Sequence, residues 1–221
     1  MKLLPLAFAF GLACLPAAFA QDTPAAPEAA PPQAQAEAGE ALPTREDVIA
    51  YFKTAYAQQC AFALENAESV EPVVHELGYR YTYDDASVPD HPYVLYGFEC
   101  QGGAYNFSQV YLAVKEYEGI VPLAFAEPSL AIVYADTENS STVESMAIDG
   151  YTAKTLLTNS EFDPASRTIT TFSKWRGMGD AYDSATYELV EDRFVLKAFE
   201  VDPTFDEEMT PETLLDFRAT N

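Results

Sequence analysis

The sequence predicts a mainly β protein, with antiparallel sheets in a sandwich-like or barrel-like arrangement, one N-terminal helix and one short C-terminal helix. From about residue 70 onward, short runs rich in Val, Ile, Thr, Tyr and Phe are separated by Gly, Pro, Asp and Asn, a composition typical of strands and turns. The runs are fairly evenly spaced, and no long helical pattern lies between them. Strands joined by turns favour antiparallel pairing over βαβ units.

Residues 1–20 have the pattern of a signal peptide. Lys2 precedes an apolar stretch from Leu3 to Leu15, and Ala18-Phe19-Ala20 forms an A-x-A cleavage site. The stretch is shorter than the roughly 20 apolar residues of a spanning helix. We therefore expect cleavage after Ala20 and a periplasmic mature protein without a transmembrane segment. Acylation of Cys14 is the alternative, but Gly11 stands where lipoprotein signals usually carry a large aliphatic residue.

Residues 21–43 form a predicted disordered linker. They are almost entirely Ala, Pro, Gln and Glu, with no aromatic residue and no periodic apolar pattern. The repeated prolines interrupt any sustained helix. We therefore assign residues 44–221 to a single β-rich domain.

This domain is predicted to begin with a helix. Thr44 can cap it, and Asp47 stands three residues later, close to the capping-box pattern. Phe52, Tyr56 and Cys60 recur at a spacing of four and therefore share one helix face. If the helix reaches Cys60, the sulfur of this residue points toward the core.

The clearest strand pattern runs from Tyr93 to Cys100. Val94, Tyr96, Phe98 and Cys100 alternate with the other residues, which places Cys100 on the apolar side of the strand. Further strands are predicted in the runs 110–114, 121–125, 130–134, 167–174, 185–190 and 193–201.

The last residues indicate a closing helix. Thr210 can act as its cap, and Pro211 suits the first helical position because it lacks a backbone N–H. The sequence therefore predicts a short helix over 210–215.

Cleavage after Ala20 would leave two cysteines, Cys60 and Cys100, in an oxidising compartment. We predict that they pair. The bridge would close a loop of about forty residues and restrict the unfolded chain by roughly 4 kcal/mol. A catalytic thiol is the alternative interpretation.

The chain is strongly acidic, with 35 acidic and 12 basic side chains and a formal net charge of -23 at pH 7. Such a charge repels nucleic acid, so no nucleic-acid partner is expected. A basic periplasmic protein is a candidate partner, although surplus carboxylates also serve solubility alone. The stretch from Glu200 to Glu208 offers oxygen ligands for calcium. Because it lacks the order of an EF-hand loop, we interpret it as a solvated acidic loop.

The sequence shows no catalytic constellation. Its two histidines are His75, at a predicted strand edge, and His91, in a predicted turn, and no G-x-S-x-G motif accompanies them. They also lack the close ligand spacing that zinc requires. We therefore predict no catalytic residue, no metal site and no cofactor. Two carboxylates could perform glycosidase-like chemistry, but the abundance of acids singles out no pair.

The most distinctive cluster lies at residues 172–180. It holds the only tryptophan, Trp175, beside Lys174, Arg176 and two glycines. The glycines permit a positive φ, so a hairpin or bulged connection is one interpretation. The other is an exposed Trp-Arg patch, since these residue types are enriched in binding hot spots.

Two runs of the sequence carry a family resemblance. The first is C-x-x-G-A-Y-N-x-S from Cys100 to Ser108, and the second is Asp163 to Phe172, continued by Lys174, Arg176, Gly177, Gly179 and Asp180. The region from Val94 to Pro203 thereby resembles an exported proteobacterial family of unknown function, the one numbered 1176. That family carries a cysteine after Gly-Asp and another near the later Pro, where this chain has Ala181 and Thr204-Phe205. The resemblance implies export, β-rich structure and one bridge fewer, and it supplies no reaction.

Together these observations predict a β-rich binding or envelope-associated module. Its candidate binding patch comprises Trp175, Arg176, Asp180, Tyr105 and Asn106. An anionic inhibitor of a basic partner, such as a cationic wall hydrolase, is one concrete version, because charge complementarity speeds encounter. The alternative is an envelope hydrolase with paired carboxylates, which would require a buried acid pair in a deep cleft.

Overall fold

The computed structural model describes residues 41–66, 70–136, 138 and 140–218, and over these ranges the protein is mainly β, as predicted. The predicted signal peptide and most of the predicted linker lie outside the described residues. None of the described helices has the length and apolar character of a membrane span. The elements in chain order are α1 Arg45–Ala55, α2 Ala61–Asn66, β1 Val73–Tyr79, β2 His91–Gly102, β3 Phe107–Lys115, β4 Gly119–Pro122, β5 Phe125–Tyr134, β6 Val143–Lys154, β7 Leu156–Thr158, β8 Glu161–Asp163, β9 Thr168–Thr170, β10 Ser173–Lys174, β11 Tyr182–Val190, β12 Arg193–Asp202 and β13 Glu212–Asp216.

The strands form two sheets and a separate hairpin, and all their pairings are antiparallel. The first sheet has the order β1-β2-β3-β4, with β7 also paired to β3. The second has the order β13-β12-β11-β9-β8, with β10 paired to β11, and β5 pairs with β6. Among the described strands no sheet closes into a barrel, so the sandwich-like form of the prediction is the one observed.

The predicted N-terminal helix is confirmed. Thr44 and Asp47 form the capping box, with the Thr44 N–H donating to the Asp47 carboxylate over 2.9 Å and the Asp47 N–H donating to Thr44 Oγ1 over 3.3 Å. The helix ends at Ala55, before Cys60. Helix α2, which was not predicted from the sequence, follows directly after Cys60.

The helix α1 packs on the outer face of the first sheet. Phe52 is fully buried there, and its ring stacks on that of Phe98 with 4.2 Å between centroids. The predicted disulfide between Cys60 and Cys100 is present and ties the segment after α1 to the same face of β2. The predicted apolar side of β2, which carries Val94, Tyr96, Phe98 and Cys100, therefore faces the helix.

The opposite face of the first sheet packs against the second sheet. Tyr93 and Leu95 of β2 belong to one buried cluster with Tyr187 and Leu189 of β11. Strand residues alternate between faces, so a single strand supplies both cores. The sheet is consequently covered by a helix on one side and by strands on the other.

The predicted C-terminal helix is wrong, because Glu212–Asp216 forms strand β13 at the edge of the second sheet. Leu215 lies opposite Phe199 of β12 and is buried in the core between the sheets. A helix of six residues is marginal by itself. Pairing with β12 and burial of Leu215 outweigh the local helix signals of Thr210 and Pro211.

A buried lysine joins the two sheets at one end. Lys115 is the last residue of β3, and its Nζ lies 3.0 Å from Asp192 Oδ2 in the turn between β11 and β12. The same Nζ lies 3.5 Å from the Glu118 carboxylate. The lysine side chain is only 8% exposed. Its charge is therefore compensated by carboxylates from two different hairpins.

Candidate ligand-binding groove

A groove of about 820 Å³ opens where the second sheet stops covering the first. Strand β8 has only three residues, and the ring of its Phe162 meets the His75 ring of β1 with 4.7 Å between centroids. Val73, Gly97 and Tyr111 lie side by side on β1, β2 and β3 and line the groove. The groove is therefore an extension of the space between the sheets that no strand fills.

Gly97 has no side chain, and the ring of Tyr111 takes this space at the floor of the groove. A Cβ atom at this position would lie 3.1 Å from Cε1 of Tyr111, so the tyrosine ring occupies the place of a side chain. Tyr111 Oη lies 3.0 Å from Ser160 Oγ, and the Ser160 N–H donates to Gln109 Oε1 over 3.0 Å. Burial raises the pKa of Tyr111. The floor is thus a satisfied hydrogen-bond network between β3 and the segment before β8.

The charged groups that line the groove are carboxylates. Glu71, Glu99 and Glu161 are exposed at its edge, and none of the described lining residues is lysine or arginine. Glu71 binds the guanidinium of Arg45 on α1. Aromatic rings of Phe62 and other residues supply apolar walls. This combination suits a ligand that has both an apolar part and a positive charge.

The candidate patch predicted from the sequence is brought together by the fold. Asn106 Nδ2 donates to the Lys174 carbonyl over 2.8 Å, and the Lys174 N–H donates back to Asn106 Oδ1 over 3.2 Å. The Tyr105 ring lies beside Gly177, 3.5 Å from where a Cβ would stand. Asn159 joins the network by donating to Asn106 Oδ1 over 3.0 Å. Asn106 therefore connects the loop after β2 to the tryptophan-bearing segment.

The charged and indole groups of the patch have partners within the protein. Trp175 Nε1 donates to Asp183 over 2.8 Å, and the Arg176 guanidinium binds the Asp180 carboxylate. Arg176 also lies over the Phe205 ring, 5.4 Å from its centroid. Both Trp175 and Arg176 are partly buried. The contacts explain the local structure of this segment, and a role of the patch in binding stays a prediction.

Replacing Asn106 with alanine is expected to lower the free energy of unfolding by about 2 kcal/mol, because both backbone polar groups of Lys174 lose their side-chain partner. Urea denaturation measures this loss. Gln101→Ala is the control, since the exposed Gln101 side chain makes one hydrogen bond among the described residues, to the Gln59 carbonyl. A loss no larger than that of the control would show that Asn106 does not hold the two loops together.

Two buried carboxylates organise the acidic loop that follows β12. Asp202 is fully buried and accepts the N–H groups of Thr204 and Thr210, over 3.1 and 2.5 Å. Asp180 accepts the Glu207 N–H over 2.9 Å. The Arg176 guanidinium holds the pKa of Asp180 well below its usual range. These carboxylates therefore shape the loop that is predicted from the sequence to be solvated and acidic.

Comparison with known proteins identifies the family of this chain. A family model described as a protein of unknown function, DUF1176, matches residues 15–206. The chain belongs to the DUF1176 family. The search of curated proteins and the search of solved structures found no match.

The DUF1176 match contains the groove, the disulfide and the candidate patch. It extends well beyond the region in which the sequence resemblance was found. Within this DUF1176 chain, Ala181 precedes Tyr182, which lies opposite Asp202 on the neighbouring strand. The two places where the resemblance expects cysteines therefore lie at the same end of a strand pair: Ala181 comes just before the start of β11, and Thr204-Phe205 comes just after the end of β12.

Sequence reasoning missed the residues that form the groove of this DUF1176 protein. Glu99, Gln109 and Ser160 are far apart in the chain and meet only through the pairing of β2, β3 and β7. Gly97 is the one of these residues whose sequence context indicates a special role. An isolated glycine inside an aromatic strand marks a place where another group approaches closely.

Proposed function

We propose that this DUF1176 protein is an exported, envelope-associated binding module that captures a basic partner protein in the periplasm and acts as its anionic inhibitor. The single observation that carries the proposal is the groove, whose charged edge consists of Glu71, Glu99 and Glu161 beside aromatic walls. We infer that it holds a segment of the partner that alternates cationic and apolar side chains. The role of inhibitor follows if this segment belongs to the active region of the partner.

The charge of the whole chain supports this proposal. A net charge of -23 attracts basic proteins over a distance of about one Debye length, which is close to 10 Å at 0.1 M salt. Complementary charge raises association rates and excludes acidic partners. The apolar walls then provide contact area that bulk charge alone does not supply.

Neutralising Glu99 and Glu161, the two groove carboxylates without an ion-pair partner among the described residues, is expected to weaken binding. With Glu99→Gln and Glu161→Gln together, we expect the affinity for a peptide of alternating lysine and phenylalanine to fall roughly fivefold to tenfold at low salt, since each exposed ion pair contributes up to about 1 kcal/mol. Isothermal titration calorimetry measures the change. The same variant should lose inhibition of a basic lysozyme-type hydrolase.

The control for this experiment is Glu144→Gln with Asp149→Asn. Both residues are exposed on β6 and do not line the groove, and the double change removes the same total charge. Equal losses in the two double variants would assign binding to bulk charge and reject the groove. Absence of binding and of inhibition in the unaltered protein would reject the proposed function itself.

We assign no hydrolytic reaction to the groove. General acids of glycosidases are typically buried or held in an apolar site. Glu99 and Glu161 are exposed, and Glu71 is bound by Arg45. The geometry therefore favours binding over acid-base chemistry.

A further inference from the structure

A cluster of tyrosines surrounds His91 at the opposite end of β1 from the groove opening. His91 is the first residue of β2, and the turn predicted for it from the sequence is wrong. Its ring stacks on Tyr79 with 5.1 Å between centroids, and it lies 5.6 Å from the Tyr81 ring and 6.2 Å from the Tyr117 ring. Tyr83 stacks on Tyr81 at 4.9 Å. An imidazole thus stands among aromatic rings from β1, from the loop after it and from the turn between β3 and β4.

Two carboxylates complete this environment. Glu116 Oε2 lies 3.0 Å from His91 Nδ1, and Asp84 Oδ2 lies 3.4 Å from His91 Nε2. Among the described residues His91 is the one basic side chain within ion-pair distance of these two acids. Neighbouring charged groups are paired with one another: Lys115 with Asp192 and Glu118, Arg80 with Asp90, and Arg193 with Glu191.

The outer rings of the cluster are open to solvent. Tyr83 and Tyr117 are each 78% exposed, and the Glu116 side chain is 40% exposed. Aromatic faces beside carboxylates are the surroundings in which proteins bind ammonium groups, through cation–π attraction and charge. Tyrosine is also among the residue types enriched in binding hot spots.

We propose that Tyr81, Tyr83 and Tyr117, together with the Glu116 carboxylate, form a binding site for an alkylammonium group, the lysine side chain of a basic partner, with His91 as the internal competitor of that cation. The Asp84 side chain is only 11% exposed and its Oδ2 accepts the Tyr81 N–H over 2.7 Å, so it contributes its charge from beneath the rings. The identity of the occupant rests on the proposed function. The preference of the site for an ammonium group does not depend on that proposal, because it follows from the aromatic rings and carboxylates themselves.

The competition makes binding depend on pH. The hydrogen bond to Glu116, with the nearby charge of Asp84, raises the pKa of His91. The groups that face its ring are Tyr79 from β1, Tyr81 and Asp84 from the following loop, and Glu116 and Tyr117 from the turn after β3. Below this pKa the imidazolium neutralises one carboxylate charge and repels a second cation. The site therefore binds its ligand better as the pH rises through the pKa of His91.

Titration with n-butylammonium, a mimic of the lysine side chain, tests this site without any partner protein. In NMR spectra of the full folded protein at about pH 8.5, we expect saturable shifts of the His91 and Tyr117 resonances. At about pH 5.5, where histidine is protonated, we expect an affinity at least about fivefold weaker. Neutral n-butanol controls for apolar binding, and tetramethylammonium tests whether a quaternary group is preferred.

Variants then separate the roles of the rings and of the histidine. Tyr83→Leu and Tyr117→Leu should each weaken butylammonium binding roughly twofold to fivefold, as expected for one exposed cation–π contact. Tyr151→Leu is the matched control, because Tyr151 is exposed on β6. His91→Gln should abolish the pH dependence. Glu116→Gln, on an exposed turn, should weaken binding at both pH values and serves as a second test if His91→Gln does not fold.

Equal affinity at the two pH values, or equal binding by the ring variants and the control, would overturn the proposal. Butylammonium binding without binding of basic peptides would uphold this site and reject the proposed function. Peptide binding that depends on the groove carboxylates, without any butylammonium binding, would uphold the proposed function and reject this site.

Discussion

Replacing Cys60 and Cys100 together with serine is expected to lower the free energy of unfolding by about 4 kcal/mol. The bridge spans 40 residues, and removing it allows the unfolded chain to regain the entropy of an open loop of that length. For a domain of this size the loss corresponds to a decrease in Tm of about 8–16 °C. Differential scanning calorimetry measures both quantities.

Chemical reduction of the unaltered protein is the control for this prediction. Both cysteines are almost completely buried, so serine hydroxyls could add a desolvation cost that the thiols of the reduced protein do not have. A similar loss in the reduced protein and in the double variant assigns the effect to the bridge. A reduced protein with an unchanged Tm would contradict the loop-entropy explanation.

Replacing Lys115 with methionine is expected to cost about 3 kcal/mol, because the partly buried Asp192 carboxylate loses its nearer cation and keeps only the more distant and exposed Arg193, 3.8 Å away. Methionine preserves most of the apolar stem. The double variant Lys115→Met with Asp192→Asn should recover much of the loss, since the remaining carboxylate partner, Glu118, has a side chain that is 51% exposed and therefore solvated. Urea denaturation of the four proteins forms a double-mutant cycle.

The comparison for Lys115 is the more exposed ion pair between Lys197 and Glu188, whose charged atoms are 3.4 Å apart. We expect Lys197→Met to cost less than about 1 kcal/mol, the usual value for a solvated pair. If Lys115→Met costs no more than Lys197→Met, burial of the lysine does not determine the strength of its ion pair.

The features that sequence reasoning predicted correctly depend on local rules. The capping box requires only Thr44 and Asp47, three residues apart, and the alternation in β2 requires only a period of two. The disulfide required counting two cysteines in a chain predicted to be exported. Mainly antiparallel structure follows in the same way from short apolar runs and turns.

The features that it missed depend on contacts between distant segments. The C-terminal strand forms because β12 offers an edge, which the local signals of Thr210 and Pro211 do not report. The groove exists because β8 is short and because Gly97 lies opposite Tyr111. The alternation of Tyr79, Tyr81 and Tyr83 is visible in the sequence and indicates that these tyrosines lie close together. The sequence does not indicate that the turn with Glu116 lies beside them, because this contact depends on the fold.

The anchoring of the acidic loop after β12 has a consequence for proteolysis. An endopeptidase must draw its substrate into an extended conformation with free backbone groups. Here the N–H groups of Thr204, Glu207 and Thr210 are already bound by the buried carboxylates of Asp180 and Asp202. Cleavage of this loop therefore requires those carboxylates to release it first, so a segment rich in surface charge is protected from proteolysis.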